Sequence, residues 1–450
     1  MQVSIRFWIK VLMKRSRNIG ILTLFFLLSG ALSLRAQSGA FSTYSPYSVY
    51  GVGSRITEGT AFNETMGGVG IATRNNRYIN YLNPAALTAR DTLAFMLDFG
   101  VSNTNKYFTQ GDITSVNNQF NLSNFIISVP IYRSSALAIG ITPYSGVGYD
   151  FSYVESRPDI IGYTGNIDYQ AYGQGALTKV FLSAAATFWK RFSVGAEVDY
   201  YFGHIEKVSN KIFEQAAFRS TYGGYNMKLW GIGGKFGLQY EHRFNNLNSL
   251  TAGATYRLKT PIHGTNEEYY HATLSSVQDS VYTANVGSQG VKLGDEIGVG
   301  LALKLDGKWS IELDYLYSDW RGSNFSSARG FAVQTEENLT FESVASHAVR
   351  AGVEFVPNRN DIRYYYRRMA YRAGLYYDTG DFRYGPYAVT SCGLTLGVTF
   401  PVFRWFNGFT LGIDIGRRGT TQNNLIRETY FQVNASMNIH DVWFQKPKYE

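Results

Sequence analysis

The chain has a single cysteine, Cys392, in 450 residues, so it cannot form an intrachain disulfide. It has ten prolines and six histidines, and no two histidines stand at the spacing of a metal-ligand pair. No G-x-S-x-G nucleophile context occurs. Gly67-Gly68-Val69-Gly70 is not followed by the Lys-Ser/Thr of a phosphate loop. The expectation is a protein with no metal, no cofactor and no catalytic residues. Past residue 36 no apolar run approaches eighteen residues, which excludes helical membrane spans.

The excess of positive charge is also thinner than it looks. The formal net charge is +8, yet residues 1–36 hold six of the 42 Lys and Arg and no acid. Lys10, Lys14, Arg15 and Arg17 precede the interrupted apolar run Ile19–Leu34, and Ala36 closes a segment that reads as a secretory signal. Without it, thirty-six basic residues face 34 acidic ones, a net of about +2, which gives no warrant for nucleic-acid binding.

What the chain does have is aromatic residues (16%), 46 glycines and period-two alternation. Trp309, Ile311, Leu313, Tyr315 and Tyr317 alternate with Ser310, Glu312, Asp314 and Leu316. Val194–Phe202, Val349–Phe355, Leu411–Ile415 and Phe431–Ile439 follow the same rule. A strand with one apolar face and ten or more residues suits a tilted membrane strand better than a soluble one of five or six.

Fourteen such segments fit between residues 92 and 439. The connections after the odd-numbered strands are mostly long (104–117, 155–176, 204–223, 260–292, 320–343). Those after the even-numbered ones are short, such as Asp306-Gly307 and Pro357–Asp361. This alternation of loop and turn is the pattern of an outer-membrane barrel. The fold expected is all-β: a 14-stranded antiparallel transmembrane β-barrel with an N-terminal hatch, or plug, in its lumen. The divisions are 1–36 signal peptide, 37–90 hatch, 91–439 barrel and 440–450 periplasmic tail.

The hatch is placed on Met66–Leu87, MGGVGIATRNNRYINYLNPAAL, where Gly67, Gly68 and Gly70 permit close approach and Asn83-Pro84 starts a turn. The run M-G-G-V-G-I-A with N-P-A-A-L resembles the N-terminal hatch of the FadL/TodX family of long-chain fatty-acid transporters. Gly412–Asn424 with the last strand and tail is similar to FadL-like barrels of Bacteroidota, PorV-like members among them.

In the third strand, Gly140 through Pro143-Tyr144 to Gly146 and Gly148 breaks the pattern of a regular strand, because Pro lacks a ladder N–H and Gly weakens a strand interior. The same stretch resembles the family's kinked third strand, which implies a side opening, here expected to be closed from inside by Asn83-Pro84. The alternation aims Glu197, Asp199, Lys235, Arg257, Glu312, Asp314, Arg350, Glu354 and Asp414 into the lumen, as ordinary polar filling or as a network that holds the hatch.

The resemblance implies passive uptake of a hydrophobic small molecule across the outer membrane, with outer-membrane lipid as surroundings. The alternative is an interaction barrel: an accessory or shuttle subunit of an outer-membrane assembly or of type IX secretion, with other outer-membrane proteins as partners.

Overall fold

The computed structural model describes residues 43–442 apart from 91–93, 132–133, 156, 190, 275–276, 334–339 and 403–406. The expected signal segment 1–36 and most of the expected 440–450 tail lie outside the described residues.

The architecture is a closed antiparallel barrel of fourteen strands, each paired with its sequence neighbours. The first six are β1 Ala94–Gln110, β2 Ile113–Pro130, β3 Ser135–Val154, β4 Ile167–Phe188, β5 Phe192–Phe213 and β6 Ser220–Arg243. Strand β7 is Ser249–Arg257 continued by Thr260–Leu274, and β8 is Val277–Asn285, Lys292–Leu293 and Asp295–Leu305. Then come β9 Trp309–Asp319, β10 Ala345–Phe355, β11 Ala370–Asp378, β12 Ser391–Pro401, β13 Gly408–Arg418 and β14 Arg427–Val442. The barrel closes where β1 meets β14, from Ala94↔Val442 to Thr109↔Arg427.

The alternation sets the faces. Ile311, Leu313 and Tyr315 are exposed on the outside of β9, while Ser310, Glu312 and Asp314 are buried inside. On β5, Val198, Tyr200 and Phe202 point out, and Glu197, Asp199 and Tyr201 point in. Outward apolar side chains meet lipid, so one strand face can be apolar without a protein core behind it. At the short-turn end, Asp306 and Gly307 both have positive φ (53° and 62°) and Lys308 N donates to Leu305 O, a tight turn that brings Leu305 opposite Trp309.

Several connections expected to be long loops are strand. Residues 104–110 and 113–117 extend β1 and β2 to a turn at Gly111-Asp112, and 204–213 extends β5. Most of 260–292 is a hairpin of β7 and β8. These stretches are polar, as in Thr114–Gln119 and Thr265–Glu268, because they rise above the apolar band where neither face needs hydrophobic residues. The reverse holds at 356–369: β11 begins at Ala370, so the turn expected over Pro357–Asp361 runs on to Met369.

Candidate functional site

Residues 43–90 run against the inner wall. Where they touch it, the wall carries glycine: a Cβ on Gly374 would lie 2.1 Å from Gly67 N, and one on Gly237 would lie 2.0 Å from Asn83 Oδ1. Polar wall residues hold the remaining backbone groups. Asp314 Oδ2 accepts from Gly70 N at 2.7 Å and Ile71 N at 2.9 Å, and Thr395 Oγ1 accepts from Gly67 N at 2.8 Å. Arg350 donates to Gly68 O at 3.0 Å, Thr73 donates to Glu312, and Lys304 donates to Arg74 O. Asn83 caps the 3-10 turn Pro84–Ala89 and donates to Ile71 O at 2.7 Å.

Glu58 is the centre of the charge arrangement. Its carboxylate accepts from Lys179 at 3.0 Å and Arg257 at 2.6 Å, with Lys235 at 3.9 Å. Glu197 lies 3.2 Å from Lys235 and accepts from Ser183 at 2.5 Å, and Tyr201 donates to Asp199. Burial alone would raise the pKa of Glu58, but Arg257, Lys179 and Lys235 outweigh it and hold the carboxyl well below the usual carboxylate range. Lower in the barrel, Glu354 pairs with Arg372 (2.8 Å) and Arg359 (3.2 Å). Asp414 accepts from Tyr376 at 2.9 Å.

The nine wall charges expected in the lumen therefore fall into separate groups. Glu197, Asp199, Lys235 and Arg257 gather around Glu58, Glu312, Asp314 and Arg350 bind the Gly68–Thr73 backbone region, and Glu354 and Asp414 sit apart. Glu58, Arg55 and Lys179 were missed. Glu58 and Arg55 lie in a segment without period, where no pattern assigns direction.

Two dry clusters bracket this polar belt. At the loop end, Tyr47, Tyr50 and Val52 pack with Trp320, Phe325, Phe331, Phe382 and Val389. Gly51 N donates to Phe331 O at 2.8 Å, and the rings of Tyr50 and Phe341 stack at 5.6 Å. At the turn end, Ile79, Tyr81 and Leu87 pack on Met96, Ile126 and Phe181.

Between them is a cavity of about 280 Å3, lined by Arg55, Glu58, Glu64, Arg350, Asp414 and Glu428 among others. It also touches Gln119 and Leu122 of β2 and Pro143 and Tyr144 of β3. Burial, with Asp414 and Asp98 adding to it, pushes the Glu64 carboxyl up to about 8.

The wall is incomplete beside this cavity. β2 and β3 pair only from Phe125↔Ile141 to Pro130↔Ala136. Above that, β3 pairs with the luminal segment: Ser54↔Gly146 and Arg55↔Ser145, with Ile56 N donating to Tyr144 O and Ser45 N to Gly148 O. The residues against Pro143–Gly148 are thus 43–56. Asn83-Pro84 lies elsewhere, under β5, β6 and β7, because Gly195 and Gly237 make room for it there.

Comparison with known proteins bears on this arrangement. The BamG family model matches residues 17–450. No curated protein matches the chain. Among solved structures it is similar to the Ralstonia pickettii toluene transporter TbuX: TM-score 0.58, 16% identity, 85% of this chain and 98% of that one. The P. putida toluene transporter TodX gives TM-score 0.57 at 13% identity, over 87% and 100% of the two chains. A Pseudomonas aeruginosa FadL homologue gives 0.55 at 12%, over 86% and 99%. At these identities the likeness establishes a shared FadL-type fold.

Proposed function

Because the chain belongs to the BamG family and has the FadL-type barrel fold, we propose that it works in the outer membrane as a non-transporting interaction barrel, an accessory subunit of an outer-membrane assembly. One observation carries this reading: the loop end of the lumen is filled by a dry cluster that ties residues 47–52 to the loop around Trp320–Phe331. Opening it would expose several aromatic side chains to water, at roughly 1.5–3 kcal/mol each. The cavity beneath carries charged side chains such as Arg55, Glu58 and Arg350 in its lining, which makes it a poor host for a hydrophobic solute. A barrel filled in this way has its outer surface left for function.

The second reading is uptake of a hydrophobic small molecule with sideways exit. It is favoured by the short β2–β3 pairing beside the cavity and by the structural relatives TbuX and TodX, which are toluene transporters.

One pair of measurements separates the two. Outer membranes with the protein at native expression are solubilised in mild detergent and run on a native gel. The purified barrel in liposomes is assayed with a fluorescent fatty acid. The accessory reading expects co-migration with stoichiometric partners and no uptake above empty liposomes. An isolated barrel that passes the probe would overturn it in favour of uptake.

A further inference from the structure

Strand β2 is bonded to β1 along its whole length, from Met96↔Ser128 to Gln110↔Ile113. Among the described residues its other edge has a strand neighbour only from Phe125 to Pro130. β3 replaces its lost partner with residues 45–56, whereas among the described residues no strand pairs with the β3-facing edge of Ile113–Phe120. An antiparallel strand aims its main-chain donors and acceptors alternately at its two neighbours, so these eight residues present a row of such groups to the gap.

The sequence does nothing to blunt that edge. Open edges are ordinarily protected by lysine, proline, an inward charge or a bulge. Ile113–Phe120 reads ITSVNNQF and contains no Lys, Pro or charge, and the register shift in β2 comes below it, near Ser123. Two of the outward side chains are large and apolar, Val116 at 60% and Phe120 at 67% exposed, beside polar Thr114 and Asn118. Asn118 bonds Asn103 and Asn105 on the same face, which marks the level where the apolar band gives way to polar surroundings. The open edge therefore starts at the upper border of the bilayer.

We propose that Ile113–Phe120 is a strand-addition site for an extended segment of a second outer-membrane protein. The proposal rests on the accessory-subunit reading and names its docking face. Acyl chains and hydrocarbon solutes carry no hydrogen-bonding groups, whereas an extended backbone matches the row of donors and acceptors in spacing and direction. The added strand would set apolar side chains beside Val116 and Phe120. On its other face it would set polar ones beside Ser115, Asn117 and Gln119, toward the cavity.

The test uses the full chain in native membranes with the photoreactive residue p-benzoyl-phenylalanine at position 116 or 120, followed by digestion and mapping of the adducts. Both positions should cross-link to one segment of one other outer-membrane protein, at sites about four residues apart. Adducts to lipid only, to many unrelated proteins or to a second copy of this chain would each overturn the proposal.

A proline scan over 113–120 gives the second arm. Prolines at N–H groups facing β1 should impair heat-modifiable folding. Those at N–H groups facing the gap should fold normally and lose at least tenfold in adduct. Full adduct in every folded proline variant would remove main-chain pairing as the cause. If adducts fail while the native-gel complex persists, the partner docks elsewhere. If both fail, the accessory reading itself falls.

Discussion

Arg257 on β7 lies 2.6 Å from Glu58, an acid from a part of the chain 199 residues away, and the pair joins the barrel wall to the luminal segment. Lys179 and Lys235 complete the surroundings of Glu58, and all three cations are buried. Breaking a buried ion pair from one side typically costs about 3–5 kcal/mol, because the stranded charge stays desolvated. Glu58→Gln should destabilise the barrel toward the lower end of that range, since Glu197 still faces both lysines. Urea unfolding in lipid vesicles measures it, and an unchanged midpoint would show that the cluster adds nothing to stability.

The same group sets an acid limit. The folded pKa of Glu58 lies below its unfolded value, so its contribution is complete above about pH 4.3 and fades as pH falls through the lower folded value. The wild-type barrel should therefore lose more stability than the Glu58→Gln variant when taken from pH 5 to pH 3. Equal losses would mean that the carboxylate is not held by its partners.

Glu64 titrates in the opposite sense. With its pKa raised to about 8, it holds a proton in the folded state that the unfolded chain gives up near pH 4.3. Stability then falls as pH rises from about 4.3 to 8, because the folded state binds more protons in that window. Glu64 lines the cavity with one carboxylate oxygen buried and without a hydrogen-bond partner among the described residues. Glu64→Gln should flatten the decline and leave the variant more stable than wild type at pH 8 but not at pH 4. Parallel pH profiles of the two proteins would exclude a raised Glu64.

Strand count, barrel class and the two faces of each strand were legible in the sequence because lipid enforces strict alternation. Trp309–Tyr317 shows it directly, since every outward position must be apolar and every inward one is free to be polar. Two parts were not legible. Above the bilayer that constraint lapses, so the strand extensions through Ile113–Gln119 and Thr260–Leu274 carry loop-like composition and are held by cross-strand pairing alone. The partners inside the lumen were hidden as well. Alternation aims Arg257 and Lys235 inward, but Glu58 comes from an aperiodic segment whose direction is set only by docking. The kink at Pro143 was visible as a break in pattern. Its actual neighbour, the stretch around Ser45–Arg55, carries no signal of extended pairing with β3.

The outward face can be tested at Leu313, which is 52% exposed at the middle of β9 and lies beside Leu301 and Ala351 on neighbouring strands. Arginine there must place its charge in hydrocarbon, at about 2–4 kcal/mol near the midplane. Asn246→Arg, in the exposed turn between β6 and β7, should cost nothing measurable. If both variants unfold at the wild-type urea concentration, Leu313 does not face lipid.

The fit of residues 60–70 against the wall depends on glycine, and Gly374 is the sharpest case. A Cβ there would stand 2.1 Å from Gly67 N and 2.2 Å from the Met66 carbonyl carbon, both main-chain atoms that cannot swing aside. The wall strand is paired on both edges, to β10 and β12, so the luminal segment has to yield. Moving it breaks the bonds from Gly70 and Ile71 to Asp314 and from Gly67 to Thr395, each worth about 1 kcal/mol or more once its partner is buried. Gly374→Val should thus leave a heat-modifiable barrel whose luminal segment trypsin cuts at Arg74 far faster than in wild type. A Gly374→Val barrel with wild-type cleavage would mean that residues 66–67 do not dock on β11.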